Sequence, residues 1–339
     1  MQKLIAIVGP TAAGKTDISL TLAKEFGGFV ICADSRTIYQ EMDIGTAKPY
    51  CGQEYKTVGA CCCTPRAQNT APLRARNTAP LRCIEINGIP HFGLNLIKPN
   101  ERFSVAEFQK YANQIIREHA TIECAHDCAT TGCNHIPLLV GGSGLYISAV
   151  VDNLAFPDAP PSEKFRAKKE LLSREELWRE LITLNPTADQ IVDQWNKRRI
   201  IRALEIIEQT NKPVLQQRLR GKPQYNILML GITRKREELY QQINQRVEKM
   251  MQMGFEDEVK KLRNTYGCDC AGMSGIGYNS FCKYLNGDIT RDQAIEKFKQ
   301  GDRNLAKRQM TWFKRDLRIR WIHNIEEARE LVEQFLNGV

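Results

Sequence analysis

The sequence contains one compact set of residues able to grip phosphate. Gly9, Pro10, Thr11, Ala12, Ala13, Gly14, Lys15 and Thr16 spell G-x-x-x-x-G-K-T. An apolar run, Leu4–Val8, precedes them and an amphipathic stretch follows, so the motif falls where a strand turns into a helix. Backbone N–H groups of such a loop, with the helix N-terminus, wrap a polyphosphate. Lys15 adds a point charge, and the Thr16 hydroxyl is suited to hold Mg²⁺. Taken alone, the loop reads as a nucleotide site. A P-loop ATPase or GTPase, however, needs an aspartate ending another strand to help hold the metal. Here IPLLVGG ends in glycines and YNILMLGIT in threonine, and no guanine-reading N-K-x-D occurs. The acid that does follow a strand is Asp34, after Phe29–Cys32. In a doubly wound sheet that end faces the P-loop across the ligand crevice. Asp34 is therefore placed to hold Mg²⁺ through water or to act as a base, the plain alternative being an aspartate that caps a turn.

Further polar groups sit at other element ends. Gly141-Gly142-Ser143-Gly144 follows a third strand, and its one hydroxyl can donate to charge developing in a transition state. Glycine clusters also simply terminate strands, so this motif is weak by itself. Basic clusters recur at Lys197-Arg198-Arg199 with Arg202, at Arg234-Lys235-Arg236, and at Lys307-Arg308-Gln309. Each alone reads as a solvated helix face. Trp312 and Phe313 beside the last favour nucleic-acid contact or packing.

The elements that must position these groups describe an α/β fold: a P-loop NTPase-like parallel sheet flanked by helices, with an inserted all-helical domain. Residues 1–156 and 223–339 form the expected core and 157–222 the insertion, after the Pro-rich boundary Ala155–Glu163. Helical periodicity is expected through Glu237–Leu262 and Arg291–Lys314, and Ser104 with Glu107 suggests a capped helix start. Two irregular inserts are expected, near 50–88 and 120–135. The first carries a tandem copy, AQNTAPLR then ARNTAPLR, too short for a solenoid and read as an exposed basic loop. The second carries Cys124, His126, Cys128, Cys133 and His135, whose spacing matches no common zinc site.

The 339 residues, 26% charged and 42% apolar, suit a globular protein large enough for two domains. No apolar run approaches the ~20 residues of a membrane span. The sequence opens directly on a strand, so no secretory leader is expected and the location is expected to be cytoplasmic. In that setting the 12 cysteines are expected to be reduced thiols. A net charge of +9 suits a polyanionic partner.

Together the motifs GPTAAGKT, ADSRTIYQEMDIGTAKP, FSVAEFQ, LLVGGSGLYI, NKRRIIRALEI, RVEKMMQMGFEDEV, GIGY and NLAKRQMTWF resemble, in that order, the tRNA dimethylallyltransferases, also called tRNA isopentenyltransferases. The resemblance spans nearly the whole chain apart from the two inserts. It implies transfer of a dimethylallyl group from dimethylallyl diphosphate to the exocyclic amine of the tRNA adenosine 3′ to the anticodon. Under it, Gly9–Thr16 grips the diphosphate leaving group, with Mg²⁺ on Thr16, and Asp34 is the base. Ser143 and Arg246 join the catalytic set, with Arg236 a second candidate. Ser35, Arg36 and Thr37 would touch a flipped nucleotide. Arg198, Arg199, Ile200, Ile201 and Arg202, and Lys307, Arg308 and Gln309, would meet the tRNA, while Arg166 would reach the anticodon stem-loop. A monomer without membrane contact is expected.

This sequence departs from the family pattern at Ser143 (usually Thr), Thr37 (usually Gln), Phe92 (usually His) and Asp302 (usually Thr). Rival readings are a P-loop small-molecule kinase, a prenyltransferase acting on free adenine nucleotide, and a non-catalytic RNA-binding protein.

Overall fold

A computed structural model describes residues 1–49, 56–58, 83–119, 135–213 and 220–338. In chain order the elements are β1 (Gln2–Val8), α1 (Lys15–Glu25), β2 (Phe29–Cys32), β3 (Lys56–Val58), β4 (Cys83–Ile86), β5 (Ile89–Phe92), α2 (Val105–His119), β6 (Pro137–Gly141) and α3 (Gly144–Val151). Then follow α4 (Glu163–Glu170), α5 (Arg174–Leu184), α6 (Lys197–Thr210), β7 (Tyr225–Ile232), α7 (Arg236–Gln252), α8 (Phe255–Tyr266), α9 (Ile276–Leu285), α10 (Arg291–Phe313), β8 (Ile319–Ile322) and α11 (Ile325–Asn337).

The described strands form one eight-stranded sheet in the order β3-β4-β5-β2-β6-β1-β7-β8. From β5 to β8 every neighbour pair is parallel. Parallel sheets are covered on both faces, which is why β1 reads as a continuous apolar run rather than an alternation. Leu4, Ala6 and Val8 enter the core on one face with α2, and Ile5 and Ile7 the core on the other with α1 and α11. The Ser104–Glu107 cap at the start of α2 is present, each backbone N–H donating to the other's side chain.

Three local expectations need correction. The 50–88 stretch is not wholly irregular, because it supplies β3 and the first strand of the β4–β5 hairpin. Asn87 and Gly88, both at positive φ, make the tight turn. The helix expected through Glu237–Leu262 breaks into α7 and α8 at Gly254, whose φ of 93° no helix accommodates. Cys268 and Cys282 are joined as a disulfide, since the turn after α8 brings their Cα atoms to 6.0 Å, whereas Cys32 and Cys270 are free thiols. The tandem repeat and Cys124–Cys133 lie outside the described residues.

The chain divides into two compact units, Met1–Val151 with Gln224–Val339, and Asp152–Pro223. The second is helical. Its core joins Leu177, Leu181, Ala188, Val192, Ile200, Ile201 and Leu204. At one edge the buried Glu205 accepts hydrogen bonds from Arg166, Arg202 and the Ser162 N–H. Burial alone would raise Glu205, but these donors outweigh it and hold the carboxyl below its usual range.

In the first unit one carboxylate fixes the loop that follows β2. Glu258 on α8 accepts from the N–H groups of Asp43, Ile44 and Gly45 at 2.8, 2.8 and 3.0 Å, and from Tyr278 Oη at 2.6 Å. Replacing it by alanine strands several donors at once, at about 1–3 kcal/mol for each that water fails to reach. Glu258→Ala is expected to lower the calorimetric midpoint of thermal unfolding by several degrees, on the order of 5 °C. A shift below about 1 °C would show that water replaces the carboxylate at no cost.

Candidate active site

Four parallel strands end on the same side, and their ends line a cavity of about 990 Å³. β1 supplies Thr11–Thr16, β2 supplies Asp34–Thr37, β6 supplies Gly141–Gly144, and the turn after β7 supplies Arg234. Helices α7 and α10 add Arg246, Asp302, Arg308, Gln309 and Trp312. This is the crevice at the carboxyl ends of strands where open α/β sheets bind ligands.

The P-loop is held from several directions. Lys15 Nζ donates to Pro10 O at 2.6 Å, and Arg234 Nε donates to Ala13 O at 3.1 Å. Arg246 donates one N–H to Thr11 Oγ1 at 2.6 Å, while its Nε is buried with no partner among the described residues. A buried orphan donor beside a phosphate loop is an opening for an anion. Burial, opposed by Asp34 and reinforced by Arg246, lowers Lys15 to about 8.

Across the cavity Asp34 Oδ1 accepts from the Arg36 N–H at 2.8 Å. The turn-capping alternative is thus realised without consuming the whole carboxylate. Gly141 lets β6 meet β2 so closely that a Cβ there would lie 2.0 Å from Ala33 O. That approach brings Ser143 Oγ to 3.0 Å from the Ser35 N–H, which donates to it. Arg36 is latched to Ala271 O and Ser274 Oγ, and the buried Thr37 hydroxyl makes a long 3.4 Å contact with Asp34 O. His91, pushed down to about 4 by burial, lines the wall as a neutral ring. Phe92, the departure next to it, packs edge-on against Phe29 with ring centroids 5.7 Å apart.

The exposed Thr16 hydroxyl and the Asp34 carboxylate are hard oxygen donors that fit Mg²⁺ as part of a shell completed by water and phosphate oxygens. No group of three or more His, Cys, Asp or Glu among the described residues could hold a metal on its own.

Several expected contacts fall elsewhere. Gln309 is not a surface contact. It is 9% exposed, accepts from the Thr11 N–H at 2.8 Å and donates to Gly142 O at 3.0 Å. Ile200 and Ile201, at 0% and 3% exposure, are core residues of the helical unit and have no side-chain surface to offer RNA. Arg166 and Arg202 are engaged with Glu205. Arg198 and Arg199 on α6, and Lys307 and Arg308 on α10, are exposed. Arg236 lies over the Tyr240 ring and is not among the residues lining the cavity. Arg234 and Asp302 are cavity residues that the motifs did not single out as ligands. Arg234 could have been found from its place just after a core strand.

The sheet order, the G-x-x-x-x-G-K-T turn and the facing carboxylate define a protein of the P-loop fold class. A family profile described as IPP transferase matches residues 77–316, and one described as isopentenyl transferase matches residues 2–58. The chain belongs to the IPP transferase family. The tRNA dimethylallyltransferase of Anoxybacillus flavithermus is 36% identical over 329 residues, 96% of this chain and 92% of that one. That of Carboxydothermus hydrogenoformans is 37% identical over 98% of this chain and 96% of its own. Among solved structures, the tRNA isopentenylpyrophosphate transferase of Bacillus halodurans superposes with a TM-score of 0.65 at 33% identity, covering 100% of this chain and 96% of that one. A eukaryotic dimethylallyltransferase acting on tRNA shares the fold, with a TM-score of 0.73 at 22% identity over 100% of this chain and 80% of that one.

Asp302 gives a stability prediction. Burial, opposed by Arg246 and reinforced by Asp34, raises its carboxyl from 3.8 to about 6. Between those values the folded state holds more protons than the unfolded, so stability falls as pH rises, and the full cost is present above about 6. Asp302→Asn should stabilise the protein at pH 8 by about 3 kcal/mol, with most of the gain gone near pH 4. Urea unfolding at the two pH values checks this, and an equal gain at both would refute it.

Proposed function

We propose that the cavity binds dimethylallyl diphosphate and transfers its five-carbon group to the N6 amine of the tRNA adenosine immediately 3′ to the anticodon, releasing diphosphate. The observation that carries this reading is the pairing, across one cavity, of the phosphate loop after β1 with the Asp34 carboxylate after β2. Membership of the IPP transferase family supports prenyl transfer to tRNA over phosphoryl transfer.

An adenine amine is a poor nucleophile because its lone pair is delocalised into the ring. Asp34 orients the amine and takes its proton as the new N–C bond forms. On the donor side the allylic C–O bond breaks and both its electrons leave with the diphosphate. The backbone N–H groups of Gly14–Thr16, with Lys15 and Arg246, meet that growing charge, and the free Nε of Arg246 gains the acceptor it lacks. The Ser143 hydroxyl, whose own donation is a long 3.4 Å contact to Ser35 Oγ, can turn toward the same charge. Mg²⁺ held by Thr16, with Asp34 through water, would add Lewis-acid neutralisation of the diphosphate when bound.

The adenine must leave its stack to reach a base so far inside the cleft. Ser35, Arg36 and Thr37 border the position it would occupy, and Arg198, Arg199, Lys307 and Arg308 are free to take RNA phosphates.

Incubation with unmodified tRNA, dimethylallyl diphosphate and Mg²⁺ should yield prenylated adenosine by nucleoside mass analysis. Asp34→Asn should lower kcat by on the order of 10²–10⁴. Lys15→Ala should abolish thermal stabilisation by the diphosphate donor. No modified nucleoside, with stabilisation by ATP alone, would favour a kinase instead. Because Lys15 loses its proton near pH 8 in the free protein, affinity for inorganic diphosphate should weaken above that pH. Calorimetric titration across pH tests this, and a flat profile would contradict it.

A further inference from the structure

Asp302 is only 7% exposed as a residue, lines the cavity, and takes no hydrogen bond from any described residue, so its carboxylate oxygens face the cavity alone. Buried carboxylates are ordinarily paired, because removing one from water without a partner is costly. The cation that interacts with it most directly is Arg246, which also lacks a partner for its Nε. No ion pair joins the two, although α7 and α10 are pinned together beside them by the Arg303–Asn244 hydrogen bond at 2.6 Å. Two polar groups are thus held near each other in a cavity wall without satisfying one another. A third group rich in acceptor oxygens would complete Arg246, but it would complete Asp302 only if Asp302 carried a proton to donate.

We propose that Asp302 is a contact residue of the diphosphate half of the site, entering the complex as the neutral acid and donating a hydrogen bond to the bound diphosphate, so that donor binding takes up a proton from solution. The proposal rests on the diphosphate reading above. No covalent bond changes in this step; one proton passes from solvent to a carboxylate oxygen of Asp302.

The surrounding charges agree. Asp34, at the end of β2, disfavours a second anion, and Arg246 from α7 favours one. Lys15 lines the cavity from the P-loop, Arg308 from the next turns of α10, and the neutral Tyr278 and His91 from α9 and β5. Burial already moves Asp302 up to about 6. Diphosphate stays net negative with one Mg²⁺ bound and pushes it further, so an acid that is mostly ionised in the free protein at neutral pH becomes protonated in the complex. The threonine usual in the family pattern would donate from its hydroxyl at any pH. The aspartate makes the same donation conditional on a proton.

Inorganic diphosphate at saturating Mg²⁺ is the probe. Calorimetric titrations at pH 7.5 in buffers of different ionisation enthalpy count the protons taken up on binding. The wild-type protein should take up about one proton more than Asp302→Asn. Its Kd should also climb more steeply, by up to about tenfold more per pH unit than the variant's between about pH 6.5 and 8. Contributions from Lys15 and from the diphosphate itself are common to both proteins and cancel in the difference. Asp302→Thr is a second variant that should likewise lose the extra proton while still binding. Equal proton uptake in wild type and both variants would overturn the proposal and leave the functional reading standing. Failure of wild type to bind diphosphate at all would overturn both.

Discussion

A single neutral amide ties the two loops of the site together. Gln309 accepts from the Thr11 N–H after β1 and donates to Gly142 O after β6. Few side chains can do both jobs: a carboxylate cannot donate and an ammonium cannot accept. The amide also sits so close that a Cβ at 142 would lie 2.2 Å from its nitrogen, so the loop and the glutamine are fitted to each other. Because Gln309 fixes α10 in register with the sheet, it also fixes what else that helix presents. Asp302 lies two turns earlier on the same face, about 10 Å along the axis. Trp312 lies nearly one turn later, against Gly144.

The same economy holds on the acceptor side. Glu258 gathers three backbone donors of the loop after β2, Ser143 reaches back to Ser35, and Arg36 is latched to the loop before α9. The loop that carries the carboxylate and the P-loop are therefore both held in place by contacts from other elements of the fold. A site assembled this way has little reorganisation left to do when charge shifts during reaction, which is where preorganised donors gain their effect.

The P-loop, Asp34 and the central strands were legible because each is local: a motif, a strand end, an apolar run buried on both faces. The β4–β5 hairpin was legible too, in the Asn87-Gly88 pair between apolar residues, but the irregular composition on its amino-terminal side obscured it. Gln309 was not. Set among lysine and arginine, it reads as surface, and only the packing of α10 turns it inward. Ile200 and Ile201 misled in the opposite way, because a motif that surrounds them with arginines does not say which face of α6 is apolar. Arg166 and Arg202 carry charge that suits RNA, yet Glu205, 39 residues from one and three from the other, engages both. The i,i+3 pair on α6 can be read from spacing, but the partner in Arg166 leaves no trace there.

The helical unit interrupts the core between Val151 and Gln224, and its own two ends are stitched together. Gly221 N–H donates to Asn153 O, Asn153 donates to Lys222 O, and Leu154 pairs with Arg220. This matters for the order of events as the chain folds. The central strand β1 needs β7 as a neighbour, and β7 follows more than two hundred residues later. At roughly 5–20 residues per second of synthesis, one edge of β1 waits on the order of tens of seconds for that partner. Once the helical unit has closed its own neck, the core no longer has to close an open loop through it. The remaining closure is that of a much shorter tether, and since its entropy grows with loop length, the insert shortens the search that β7 must make.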